Sequence, residues 1–130
     1  MIFIDTSVVV AWNNERDQYH SRAQGMMQRY GDSKWFISDY IFDESTTFAM
    51  VKSGKEKALI LGKSLLESEL GILKVTDEIF NAAWKLFSQS GHLSFTDCTT
   101  IALMQQFHMR KIMTFDNEFK KQRGIEVLSE

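Results

Sequence analysis

Ile2-Phe3-Ile4-Asp5-Thr6-Ser7-Val8-Val9-Val10 decides how this 130-residue chain is read. Three apolar residues form a short strand, and a carboxylate follows at once. Aspartate and glutamate are seldom buried unless something compensates their charge. Thr6 or Ser7 can cap a helix over Val8 to Asn13. Asp5 therefore stands where a strand ends and a helix begins.

The same alternation continues outward. A second helix is expected over about residues 18–30, stopped by Gly31. Trp35 to Ser38 reads as a strand. A helix from about Tyr40 to Lys52 closes at Gly54, and another from Lys55 to Leu70 closes at Gly71. Ile72 to Val75 is a third strand, and Thr76 caps a helix to about Gln89. Thr96 to His108 is the next helix, and Lys111 to Thr114 a fourth strand. A short helical turn over residues 117–121 precedes a last edge strand, Ile125 to Leu128. Strands alternating with helices predict an α/β, Rossmann-like fold. Residues 1–130 then form one domain, with a central parallel sheet of four to five strands and helices on both faces. Ligands bind such sheets outside the carboxyl ends of the strands. Asp5 follows the first strand directly, and Asp116 follows the fourth with only Phe115 between. Chain order allows those two strands to be neighbours.

Composition narrows the function classes. The chain is long enough for a hydrophobic core without staples, and its 44% hydrophobic and 25% charged content is ordinary for a globular protein. A net charge of -2 provides no global basic field, so nucleic acid would need a local patch and a metal. The one cysteine, Cys98, excludes an internal disulfide and fits a reducing cytoplasm. The apolar run Val8 to Trp12 is too short to span a membrane, and no charged region precedes it, since the first basic residue is Arg16. A cytoplasmic, non-membrane protein is expected.

Two further acids sit on helices. At about 100° per residue, Ile41, Phe42, Ser45, Phe48 and Ala49 share a face, with Glu44 on its flank between Phe48 and Val51. Asp43 points away, as a solvated acid does. Asp97 shares a stripe with Ile101, Met104 and His108, and so is directed inward from a helix start. Two carboxylates about 4 Å apart repel by roughly 4 kcal/mol at an effective dielectric of about 20. If Asp5, Glu44, Asp97 and Asp116 meet, one is protonated or a cation sits among them. Oxygen ligands suit Mg²⁺ or Mn²⁺. His20, His92, His108 and Cys98 show no paired spacing for zinc. Hydroxyls flank the acids: Thr6 and Ser7, Thr47, Ser94 and Thr96, and Thr114. They can orient carboxylates or hold bound water.

These motifs resemble the PIN domain: a strand followed by Asp5-Thr6-Ser7, Glu44-x-x-Thr47, Ser94-x-x-Asp97 and Thr114-x-Asp116-x-x-Phe119. More narrowly, they resemble the VapC-type toxins of prokaryotic toxin–antitoxin pairs, over effectively the whole chain. The resemblance implies a Mg²⁺-dependent endoribonuclease, with Mn²⁺ as a possible substitute. It would hydrolyse RNA phosphodiester bonds with metal-activated water and be inhibited by a cognate antitoxin. Asp5 and Asp97 would be core metal ligands, and Asp116 a ligand or a contact through water. Glu44 would hold metal-bound water or act as base. Thr6, Ser7, Thr47, Ser94, Thr96 and Thr114 would support them. Some relatives carry an arginine late in the Glu44 helix, where this chain offers only Lys52. The resemblance also implies a homodimer and an antitoxin groove, for which Trp12, Tyr40, Phe42 and Phe48 are candidates.

Other readings stand beside this one. Asp5 and Asp116 can each be helix caps, and Glu44 can pair with Lys111. Lys52, Lys55 and Lys57 form one basic cluster; Arg110, Lys111, Lys120, Lys121 and Arg123 form another that brackets Asp116 and could contact RNA. Cys98 reads as core packing. A catalytically degenerate RNA- or protein-binding module and a metal-dependent phosphatase remain alternatives. The phosphatase pattern requires an acid two residues after the nucleophile, where this chain has Ser7.

Overall fold

All three residues of β1 (Ile2–Ile4) are buried, which requires cover on both faces of the sheet at this strand. A computed structural model describes residues 1–129 of the chain. After β1 come α1 (Thr6–Asn13), α2 (His20–Arg29), β2 (Trp35–Ser38), α3 (Asp39–Ser53), α4 (Lys55–Glu67) and β3 (Gly71–Leu73). Then follow α5 (Asp77–Gln89), α6 (Phe95–Gln106), β4 (Lys111–Met113), a 3₁₀ turn (Asn117–Lys121) and β5 (Glu126–Leu128). The five strands are parallel and lie in the order β3-β2-β1-β4-β5. The expected α/β fold is therefore present, with β1 at its centre and β5 at an edge.

Register places the site. Ile4 of β1 lies opposite Met113 of β4. The next residues, Asp5 and Thr114, thus leave the sheet side by side at its carboxyl edge. The Asp5 amide still donates to the Met113 carbonyl at 3.0 Å.

Several local expectations change. Asp5, not Thr6 or Ser7, is the cap of α1, because its carbonyl already accepts from Val8 and Val9. That leaves no room for a linking residue, and the Ser7 hydroxyl turns back to Asp5 instead. Helix α4 ends at Glu67 rather than Leu70, where Ser68 forms a local turn with Leu65 and Leu70. Gly71 is therefore not a helix cap; it opens β3. A Cβ at Gly71 would stand 2.5 Å from the Phe36 ring, so the close approach of β2 explains the glycine. Helix α6 starts one residue early, at Phe95, and ends at Gln106, before His108 takes a positive φ of 56°. Thr114 lies just beyond β4.

Candidate active site

Asp5 is 7% exposed at the end of the central strand. Ser7 and Thr114 hydroxyls both donate to its Oδ2, at 2.9 and 2.8 Å. Ser7 Oγ in turn accepts the Phe115 amide at 3.1 Å, and Thr114 Oγ1 accepts the Asp116 amide at 2.9 Å. One network thus joins the strand ends that carry Asp5 and Asp116. Asp116 caps the 3₁₀ turn by accepting from the Glu118 amide at 2.9 Å. The cap anticipated for Asp116 exists, and it coexists with a place in this network.

Asp97 arrives from α6. Ser94 caps that helix, its hydroxyl accepting from the Asp97 amide at 3.1 Å, while the Asp97 carboxylate accepts from the Ser94 amide at 3.3 Å. This reciprocal box fixes the side chain at the helix N-terminus.

Electrostatics tie the four acids together. Burial pushes the Asp5 carboxyl up to about 6; the Thr114 and Ser7 hydrogen bonds oppose this, and the Asp97 charge adds to it. Asp97 is also raised, first by burial, against the pull of Ser94, with Asp116 and Glu44 repelling it. Each acid therefore lies in the field of another.

Glu44 differs from expectation. It is exposed, as are Phe48 at 44% and Val51 at 80%, because nothing among the described residues covers this flank of α3. With Tyr40, Asp43, Thr47, Phe48 and Thr96 it lines an open cleft of about 410 Å³. The Thr47 hydroxyl lies 3.5 Å from Asp43, one turn back, and not on Glu44. Lys111 starts β4 at the opposite edge of the sheet, and no pair with Glu44 forms among the described residues. The same topology splits the second basic cluster. Arg110 and Lys111 lie at the far edge, and Lys121 near Asp116 reaches Glu118 at 3.3 Å. His92 also meets Glu118, at 3.4 Å. The Thr96 carbonyl accepts from the Thr99 hydroxyl, and Thr6 Oγ1 is buried without a partner among the described residues. Cys98 is buried, and burial followed by the Asp97 charge pushes its thiol up. It stays protonated, as a core residue does.

The candidate groove residues do not form one groove. Trp12 packs edge-on against Trp35 and lines a concavity of about 670 Å³ with Val8, Lys34 and Leu65. Phe42 lies instead in a separate cleft of about 590 Å³ between α3 and α4.

All donors at the site are oxygens. Among the described residues, no group of three His, Cys, Asp or Glu side chains stands close enough to enclose an ion alone. Mg²⁺ is commonly held by one or two carboxylates, with water and phosphate oxygens completing its shell. Buried Asp5 and the Asp97 that repels it fit such an ion.

The chain belongs to the PIN domain family, which it matches over residues 2–125. Among its relatives is the "23S rRNA-specific endonuclease VapC20" of Mycobacterium tuberculosis, 27% identical over 135 aligned positions that span all of both chains. The crystal structure of that toxin superposes with a TM-score of 0.91 at 22% identity, covering 100% of each chain. A toxin–antitoxin complex from Klebsiella pneumoniae gives a TM-score of 0.73 at 15% identity, over 98% of this chain and 97% of that one. VapBC2 from Rickettsia felis, bound to a promoter DNA fragment, gives 0.73 at 14% identity, over 98% of each. These structural likenesses speak for the fold.

Proposed function

We propose that this chain is a VapC-type toxin, an endoribonuclease that hydrolyses RNA phosphodiester bonds with Mg²⁺ or Mn²⁺. The observation that carries this is the linked field of Asp5, Asp97, Asp116 and Glu44 at the carboxyl edge of β1 and β4, in a chain of the PIN family. Asp5 and Asp97 would hold the ion, with Asp116 direct or through water. A divalent ion, when bound, lowers the pKa of water and neutralises charge on the phosphate. Ser7 and Thr114 keep the Asp5 carboxylate turned toward the site. Ser94 does the same for Asp97. Glu44, exposed on the cleft wall, would accept a proton from the attacking water.

The named relative supports ribosomal RNA as a substrate to try first. The toxin–antitoxin complexes among the structural neighbours support an antitoxin as partner. A second copy of the chain is the other partner proposed, and Phe80, Trp84 and Phe87 expose apolar surface on α5 for such contacts. Among the described residues no helix is long and apolar enough to cross a membrane; action in the cytoplasm, where ribosomes are, is part of this proposal.

Purified protein should cut 23S rRNA with Mg²⁺ or Mn²⁺ and stop in EDTA. Asp97→Asn should lose cleavage by at least about a hundredfold while unfolding at the same temperature as wild type or higher. Undiminished cleavage by both Asp5→Asn and Asp97→Asn would remove the site assignment. Hydrolysis of small phosphate esters without RNA cleavage would favour a phosphatase.

A further inference from the structure

We propose that Tyr19 and Phe115, with Arg22 across them, form a base-stacking subsite for the RNA nucleotide beside the scissile phosphate. This rests on the ribonuclease function proposed above and adds how the substrate is gripped.

Phe115 stands between Thr114 and Asp116, and its amide is anchored on Ser7 Oγ, which itself donates to Asp5. The ring is thus attached to the same network that orients the carboxylates. Tyr19, at the start of α2, stacks on it with centroids 4.9 Å apart and planes inclined by 27°. The Arg22 guanidinium lies 5.1 Å from the Phe115 centroid and 5.5 Å from that of Tyr19. Phe115 is half-buried, whereas Tyr19 remains 37% exposed. Phe115 packs against the hydrophobic core, whereas Tyr19 is not among the residues that do and extends the stack at the rim of the acidic site.

Single-stranded RNA is recognised largely by stacking unpaired bases on aromatic rings and guanidinium planes. The stack here provides both. It also answers a charge problem. Four acids at one edge repel a polyanion, and a chain of net charge -2 offers no global attraction. Stacking on a π-face tolerates any base and is little affected by that repulsion. Arg22 adds a guanidinium plane to the two rings. A strand lying across β1 would then place its phosphate at the carboxylates and an adjacent base on Tyr19.

The test is a cycle between protein and substrate. Short single-stranded RNAs would span the site that the wild-type protein cuts, each with one flanking nucleotide made abasic. Wild type and Tyr19→Leu would be assayed for kcat/KM on the intact and abasic series, with thermal unfolding checked. Tyr19→Leu should cut intact RNA roughly tenfold less well. An abasic nucleotide at one flanking position should cost wild type a similar factor, yet cost Tyr19→Leu almost nothing, because both remove the same contact. Tyr19→Phe should restore wild-type behaviour. Equal cleavage of intact RNA by wild type and Tyr19→Leu, or fully multiplicative losses at every position, would overturn the subsite and leave the ribonuclease standing. Failure of the wild-type protein to cut any RNA would overturn the ribonuclease, and the subsite with it.

Discussion

Asp5 shows how one residue can set function against stability. Its carboxyl ordinarily titrates near 3.8, and burial lifts it to about 6. The folded protein then holds that proton more tightly than the unfolded chain does. The resulting stability is complete below the unfolded value and is lost as pH rises through the folded one. Metal-free protein should therefore lose about 3 kcal/mol from this group between roughly pH 4 and pH 7. Asp97 is raised in the same sense and adds to the slope. Urea unfolding in EDTA across that range measures this. Asp5→Asn should flatten the curve and be more stable than wild type at pH 7, while being inactive. A steeper curve in the variant would contradict this account of Asp5. The sequence made Asp5 legible because a carboxylate directly after an apolar strand is locally visible. The exposure of Glu44 was not, because it depends on which flank of α3 its packing partners leave uncovered. The Tyr19–Phe115 stack was also hidden, since it joins residues from opposite ends of the chain.

Elements position the acids through their ends. Ser94 and Thr76 cap neighbouring helices, accepting from the Asp97 and Ile79 amides at 3.1 and 3.3 Å. Either Ser94→Ala or Thr76→Ala should cost about 1 kcal/mol of stability. Only Ser94→Ala should also reduce RNA cleavage, because only that cap holds a site residue. Comparing unfolding midpoints with cleavage rates for the two variants separates the effects. The end of α3 and the start of α5 were readable from Gly54 and the Thr76 cap. Gly54, at a φ of 94°, joins α3 to α4 as expected. Gly71 misled because its reason is a ring on another strand. Gly71→Ala should destabilise by about 1–3 kcal/mol through overpacking against Phe36, as chemical denaturation would measure. A neutral result would return Gly71 to the role of a turn residue.

At the scale of the molecule, the fold stores an unfavourable charge arrangement that ligand binding can relieve. An ion that binds only the folded state stabilises it by mass action, by about 1.4 kcal/mol at ten times its Kd. Mg²⁺ or Mn²⁺ should therefore raise the unfolding temperature of wild type and leave that of Asp5→Asn nearly unchanged. An equal rise in both would move the ion elsewhere. The α/β architecture was legible because each of the first four strands is followed by helical sequence before the next strand begins. Strand order was not, apart from the room left for β1 beside β4.

That order has a consequence for how the protein is made. Asp5 leaves the ribosome well ahead of Thr114, which steadies its carboxylate at 2.8 Å and is translated 109 residues later. Central β1 must wait for β4, so the carboxylate network cannot close before Thr114 has been made. Such a distant pairing makes folding slow compared with local contacts. A nascent or prematurely terminated polypeptide lacking residues beyond 110 would have Asp5 but no assembled site. On the function proposed above, cleavage is thus delayed until the stretch through Asp116 exists, which gives a partner arriving during translation time to meet an enzyme not yet switched on.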